Sequence, residues 1–232
     1  MKKKDKKKKS LPNAAAQAAA VAAPASAPPV AGWRLQVWEY GKAIALAVVL
    51  ALFIRSFIVQ AFHIPSSSMV PTFLEGDRVL VTKFSFGLRN PFTNQVLFGS
   101  GRPQRGDVVI FKFPKDPKTD FVKRVMGLPG ETVQIVEGRL LVDNVPIDDP
   151  HGHYDTPYRV VNRNFGPVTV PEGHYFMLGD NRDFSNDSRG WGFVDASLLR
   201  GKAWRLYWSW DSTRGLPFFQ RLRLNRLGLK IE

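Results

Sequence analysis

Residues 43–54, AIALAVVLALFI, are twelve apolar residues without a break, and after Arg55-Ser56 the run FIVQAF carries the apolar character to Phe62. A bilayer core is crossed by about 20 mostly apolar residues. Residues 43–62 just reach that length, with Arg55 and Gln60 as polar flaws. Arg55 sits toward one end, where a long side chain can reach the interface. Trp33, Trp38 and Tyr40 precede the run, as an interfacial aromatic belt would. The competing reading is a buried helix in a soluble domain. We expect a membrane anchor over 33–62 containing one transmembrane helix.

The formal net charge is +13, from 33 Lys and Arg against 20 Asp and Glu. Residues 1–10 carry seven Lys and one Asp, a net +6, and residues 200–232 carry another +6, so the stretch between them is left at +1. A nucleic-acid module normally holds its basic stripe within the folded domain, and this distribution speaks against one. Residues 11–31 hold eleven Ala and four Pro, which suits a flexible linker. A cleaved secretory leader is the rival for this region, but Gln17 and Pro24 interrupt its would-be core, which has no Leu, Ile or Phe run. We take 1–32 as a basic tail and linker. Basic residues concentrate before the apolar run, whereas 63–82 contains only Arg78, beside Glu75 and Asp77. The positive-inside rule then keeps the N-terminus cytoplasmic and sends 63–232 outward.

From His63 onward the texture is that of short strands: RVLVTKF, DVVIFKF, TVQIV, RLLVD and HYFML, punctuated by Gly76-Asp77, Pro129-Gly130, Glu137-Gly138 and Asp143-Asn144. No long amphipathic helical pattern intervenes, so 63–232 is expected to be an antiparallel β domain. VQIVEGRLLVD reads as a hairpin across Glu137-Gly138.

Cysteine is absent, which excludes disulfides, thiolate metal sites and a thiol nucleophile. Pro65-Ser66-Ser67-Ser68-Met69-Val70-Pro71 places serines between two restricting prolines, although three serines in a row equally compose a plain polar loop. A serine nucleophile needs a base. His63, His151, His153 and His174 are candidates, but none lies in a dense polar motif. Lys123 follows Phe121-Val122 in a strand-like run, where alternation groups it with Phe121 and Val125. Burial there would lower its pKa from about 10.4, at which only roughly one lysine in 2,500 is neutral at pH 7. The bland alternative sends either Lys123 or Arg124 to solvent. Asp183, Ser185 and Asp187 mimic the start of a calcium loop, but Ser188 and Val194 stand where that loop needs Gly and Glu. Asp187 and Arg189 suit a structural ion pair.

PSSSMVPT with GDRVLV, RGDVV, VKRVMGLPG and GDNRDFSNDSRGWG, in this order after an apolar span, resemble bacterial type I signal peptidase, a membrane-anchored serine protease. The resemblance covers the span and most of 57–210. It implies a mainly β, antiparallel-sheet catalytic domain behind one transmembrane helix, on the extracytoplasmic side of the inner membrane. It also implies cleavage of signal peptides from exported preproteins after small residues, with no cofactor, metal or nucleic acid, and the bilayer as partner. By resemblance Ser68 is the nucleophile and Lys123 the general base. Ser66, with the Ser68 N–H, forms the oxyanion hole. Ser185 orients the lysine, and Asp187 with Arg189 supports the site. Ile64, Met69, Phe73, Phe121 and Val122 match positions lining the pockets for small side chains. Phe73, Phe184 and Glu131 replace the family's usual Leu, Asn and Asp, which bears on specificity rather than on the reaction. The alternatives are a Ser/Lys peptidase of the same fold with a dedicated substrate, such as pilus or conjugation maturation, a self-cleaving repressor, and a non-enzymatic membrane-anchored β domain.

Overall fold

The computed structural model describes residues 32–89, 96–99, 101–154, 163–212 and 217–232. The expected basic tail and Ala/Pro linker of 1–31 lie outside them. The described chain divides into two compact units, one ending at Ala47 and one running from Val48 to Glu232.

The apolar run forms helix α1, Trp33–Phe53, prolonged by a π-helical turn Ile54–Ile58. These 26 residues extend about 39 Å at ~1.5 Å per residue, enough to cross a bilayer core of about 30 Å. None of the helix's side chains is buried, so it is not the core helix of a soluble domain. The helix begins where the expected 33–62 anchor begins and ends short of it. It starts ten residues before the uninterrupted run, and it stops at Ile58 because Val59–His63 forms strand β1 against β2, Asp77–Thr82. Apolar composition continues across that boundary while the backbone changes state. The turn is capped by Lys83 Nζ, which donates to the carbonyls of Arg55 and Ser56 at 3.2 Å each.

Beyond β2 come β3 Leu88–Arg89, β4 Val96–Phe98, β5 Val108–Phe113, β6 Asp116–Gly127, β7 Thr132–Val136, β8 Arg139–Val142, β9 Val145–Pro146, β10 Phe165–Thr169, β11 His174–Leu178, β12 Val194–Asp195 and β13 Leu199–Ser209. Among the described residues one seven-stranded sheet runs β1-β2-β13-β5-β6-β11-β12, and a smaller one runs β10-β7-β8-β9. Every pairing in them is antiparallel. The mainly β, antiparallel fold is therefore as expected. So is the β7–β8 hairpin, whose Glu137 and Gly138 both have positive φ, 49° and 83°. Two such residues make the primed turn that matches strand twist.

The large sheet is covered on both faces. Val108, Ile110 and Val122 pack on one side with Ile64, Met69, Phe73, Val79 and Leu206. Val109, Phe111 and Val125 pack on the other with Met177 and Val194. Adjacent residues of β5 and β6 are therefore buried in opposite directions. This explains their unbroken apolar character and allows two consecutive charged residues of β6 to be buried.

Candidate active site

Ser68 lies in the 3-10 turn Ser67–Met69 between β1 and β2, 7% exposed. Lys123 lies in the buried half of β6, 3% exposed, paired across the sheet with Val109. The two elements are distant in sequence, yet Lys123 Nζ and Ser68 Oγ are 2.6 Å apart. The ammonium also donates to the carbonyl of Val122 at 2.9 Å and stands 5.5 Å from the Phe121 ring centroid. Burial depresses the lysine pKa from 10.5 to about 8, and the Asp187 and Asp180 carboxylates pull partly the other way. At pH 7 about one lysine in ten is then neutral. Ser68 Oγ has a second neighbour in Ser66 Oγ at 3.3 Å. Among the described residues its two hydrogen-bond partners are thus a serine and a lysine, not a histidine.

The loop between β11 and the single-turn helix α2, Ser188–Trp191, fixes the Ser68 turn from behind. Asn181 N–H donates to the Ser68 carbonyl at 3.2 Å, and Asn181 Nδ2 to the Ser67 carbonyl at 3.4 Å. Gly179 lets these segments touch, because a Cβ there would strike the Ser185 side chain and meet the Ser68 carbonyl at 2.5 Å. Ser185 Oγ is buried and has no hydrogen-bond partner among the described residues. Asp187 and Arg189 form a bidentate pair, Nε–Oδ1 2.8 Å and Nη2–Oδ2 2.9 Å. Asp187 also accepts from Gly179 N–H at 3.1 Å, so the pair ties the loop to itself.

A cleft of about 320 Å³ opens at Ser68, walled by Phe62, Ile64, Ile110, Phe121, Val122 and Phe184. Of the residues the sequence reading assigned to substrate pockets, Ile64, Phe121 and Val122 line this cleft. Met69 and Phe73 are not on the wall: at 1% and 0% exposure they belong to the core on which the serine turn rests. Phe184, 45% exposed, stands at the cleft instead.

Sequence reasoning gave no site role to Arg124, Asp180 or Thr72, although all three lie in the quoted motifs. Arg124 is 1% exposed and grips Asp180 through Nε–Oδ1 at 2.8 Å and Nη2–Oδ2 at 2.7 Å. Thr72 Oγ1 donates to Asp180 Oδ2 at 2.5 Å. Neither Lys123 nor Arg124 faces solvent, contrary to the bland alternative, because β6 is covered on both faces. The usable signal was adjacency. Two consecutive cations in an apolar strand demand two acceptors.

A hydroxyl bonded to a buried amine of lowered pKa can be deprotonated by that amine near neutral pH and attack an electrophilic carbonyl. This is the equipment of a serine-nucleophile hydrolase. Residues 37–208 match the family model described as signal peptidase, peptidase S26. Signal peptidase I of Pseudomonas fluorescens is 36% identical over 222 residues, covering 80% of this chain and 78% of the relative. Signal peptidase I of Pseudomonas aeruginosa is 37% identical over 223 residues, covering 79% and 78%. A probable signal peptidase I-2 of Synechocystis is 37% identical over 187 residues, covering 78% and 76%. The chain belongs to the signal peptidase family, peptidase S26, and is a serine endopeptidase.

Proposed function

We propose that this enzyme cleaves signal peptides from exported preproteins after small residues, with Ser68 as nucleophile and Lys123 as general base. The observation that carries the reading is the 2.6 Å contact between Ser68 Oγ and a buried Lys123 Nζ. The neutral amine takes the Ser68 proton as Oγ attacks the scissile carbonyl. The resulting ammonium protonates the departing amine, leaving an acyl-enzyme. The amine then activates water, which releases the signal peptide's carboxylate and restores the serine. Ser66 Oγ, beside Ser68 Oγ, supports the oxyanion together with the Ser68 N–H. Lysine has three N–H donors, two of which go to Ser68 and Val122. The unpartnered Ser185 hydroxyl is suited to take the third during turnover. The apolar wall of Ile64, Phe121 and Val122 favours alanine-sized side chains, and Phe184 narrows it further.

The same proposal places the enzyme in the inner membrane. Helix α1 crosses once, the N-terminus is cytoplasmic, and residues after about 63 face outward. Exposed aromatic side chains on and after β13, including Trp204, Trp208 and Phe219, suit contact with lipid on that side. The test is cleavage of a preprotein by the full chain in detergent, with the cut site read by mass spectrometry. Wild type should cut after a small residue. Ser68→Ala and Lys123→Ala should be inactive while folded, and near-normal turnover by either removes the dyad. Protease added outside spheroplasts should digest the domain after residue 63, and full protection would reverse the orientation.

A further inference from the structure

The basic segment after β13 contributed nothing to the sequence reading of the site, yet its contacts reach the neighbours of both dyad members. Residues 222–231 run along the edge of β13 beyond its pairing with β5. The bridges are Trp210 with Leu222 and Arg205 with Lys230. Leu206 N–H donates to the Leu229 carbonyl at 2.9 Å, and Gly228 N–H to the Leu206 carbonyl at 2.8 Å. Ile231 enters the same core cluster as Ile64, Met69 and Phe73. This segment is therefore a strap built into the sheet.

Two arginines of the strap reach the loop that follows the nucleophile. Arg223 Nη1 donates to the Glu75 carbonyl at 3.0 Å. Arg226 Nη2 donates to the Thr72 carbonyl at 2.9 Å and to Asp77 Oδ2 at 2.7 Å, and its Nε to Asp77 Oδ1 at 3.2 Å. Asp77 is fully buried and also accepts from Leu74 N–H at 2.8 Å. One guanidinium thus closes both ends of the turn from Thr72 to Asp77, just downstream of Ser68. On the lysine side, Arg124 Nη1 donates to the main-chain oxygen of Glu232 at 2.7 Å. The two halves meet at Thr72, whose carbonyl is held by Arg226 and whose hydroxyl is held by Asp180, the partner of Arg124.

We propose that Arg226 is a positioning residue for catalysis: by holding Thr72 against the strap, it sets the reach between Ser68 and Lys123. The proposal rests on the dyad reading above. Thr72 lies only four residues after Ser68, and Phe73 N–H donates to the Met69 carbonyl at 2.8 Å, so displacement of Thr72 is carried into the serine turn. A loop slackened by even about 1 Å lengthens the Ser68–Lys123 contact, and misplacement on that scale costs up to ~10²-fold in rate.

The experiment compares kcat and KM for a preprotein, with full-length enzyme in detergent, across Arg226→Gln, Arg226→Lys, the double variant Arg226→Gln with Asp77→Asn, and Ser68→Ala. Arg226→Gln should lower kcat by about 10- to 100-fold with KM within about twofold of wild type. Arg226→Gln alone leaves Asp77 charged and unpaired in the core, which threatens folding. The double variant removes that charge. It should restore the unfolding midpoint but not kcat, because the hold on the Thr72 carbonyl is still weakened. Arg226→Lys keeps the charge and a donor and should recover part of kcat. A kcat that follows the unfolding midpoint through the series, or wild-type kcat in Arg226→Gln, overturns the proposal. Should Ser68→Ala still cleave, the dyad reading falls and the proposal falls with it. An inactive Ser68→Ala beside fully active Arg226 variants sinks the strap alone.

Discussion

Replacing Lys123 by methionine should destroy activity and yet make the protein more stable at neutral pH. The fall of the lysine pKa from 10.5 to about 8 corresponds to about 3 kcal/mol, at ~1.4 kcal/mol per pH unit. That is the cost of holding the ammonium in the fold. The cost is present in full below pH 8, where folded and unfolded chains both carry the proton. Between pH 8 and 10.5 the unfolded chain keeps a proton that the folded chain has released, so wild-type stability rises with pH. Methionine has a similar reach and no charge to desolvate. It forfeits the hydrogen bonds to Ser68 and Val122, which offsets about 1 kcal/mol. Lys123→Met should therefore gain about 2 kcal/mol at pH 7, or roughly 4–8 °C in midpoint for a domain of this size. That advantage should vanish by about pH 10.5, where the charge is lost. The assay is denaturant or thermal unfolding of the full chain in detergent, followed by tryptophan fluorescence at several pH values. A variant no more stable than wild type at pH 7, or one with the same advantage at pH 7 and pH 10, would refute the account of Lys123 as a buried, destabilised cation.

Wild-type kcat/KM should rise with pH through a midpoint near 8, because only the neutral amine can accept the Ser68 proton; a flat profile from pH 6 to 10 would contradict a lysine base. Asp187→Asn removes the carboxylate that most strongly favours the charged lysine, so its activity midpoint should move to lower pH, whereas an alkaline move would oppose this electrostatic assignment. Asp180→Asn leaves Arg124 buried without its charge partner and should destabilise the domain by ~3–5 kcal/mol, measured by denaturant titration. Gly179→Ala forces a methyl between Ser185 and the Ser68 carbonyl and should abolish cleavage in protein that still inserts into the membrane; retained activity would mean that the two loops can separate freely.

Strand alternation was legible from local sequence, as were the hairpin at Glu137-Gly138 and the β character of everything after the anchor, because each depends on neighbours two residues away. The Ser68–Lys123 contact was legible only through a pattern of motifs. Nothing in the composition of PSSSMVP separates a nucleophile from a polar turn. Where the anchor ends was not legible, because Val59, Ala61 and Phe62 are as apolar as a helix requires and only pairing with β2 makes them strand. The basic stretch after residue 200 was read by its charge. Two of its arginines, Arg223 and Arg226, turned out to be spent on Asp211, Asp77 and loop carbonyls.

By itself the sequence determined that this chain carries a bilayer-length apolar run followed by a β domain, and that a thiol nucleophile is excluded, since it has no cysteine. Those conclusions follow from composition and short periodicities, which do not depend on the path of the chain. Only the tertiary structure decided that Lys123 and Arg124 are both buried on opposite faces of one strand. It likewise put Met69 and Phe73 beneath the serine turn while Phe184 lines the cleft, and let Arg226 grip a loop far from it in sequence. Burial and contact across such separations arise from how strands pack. The desolvation that lowers the Lys123 pKa exists only once both faces of the sheet are closed.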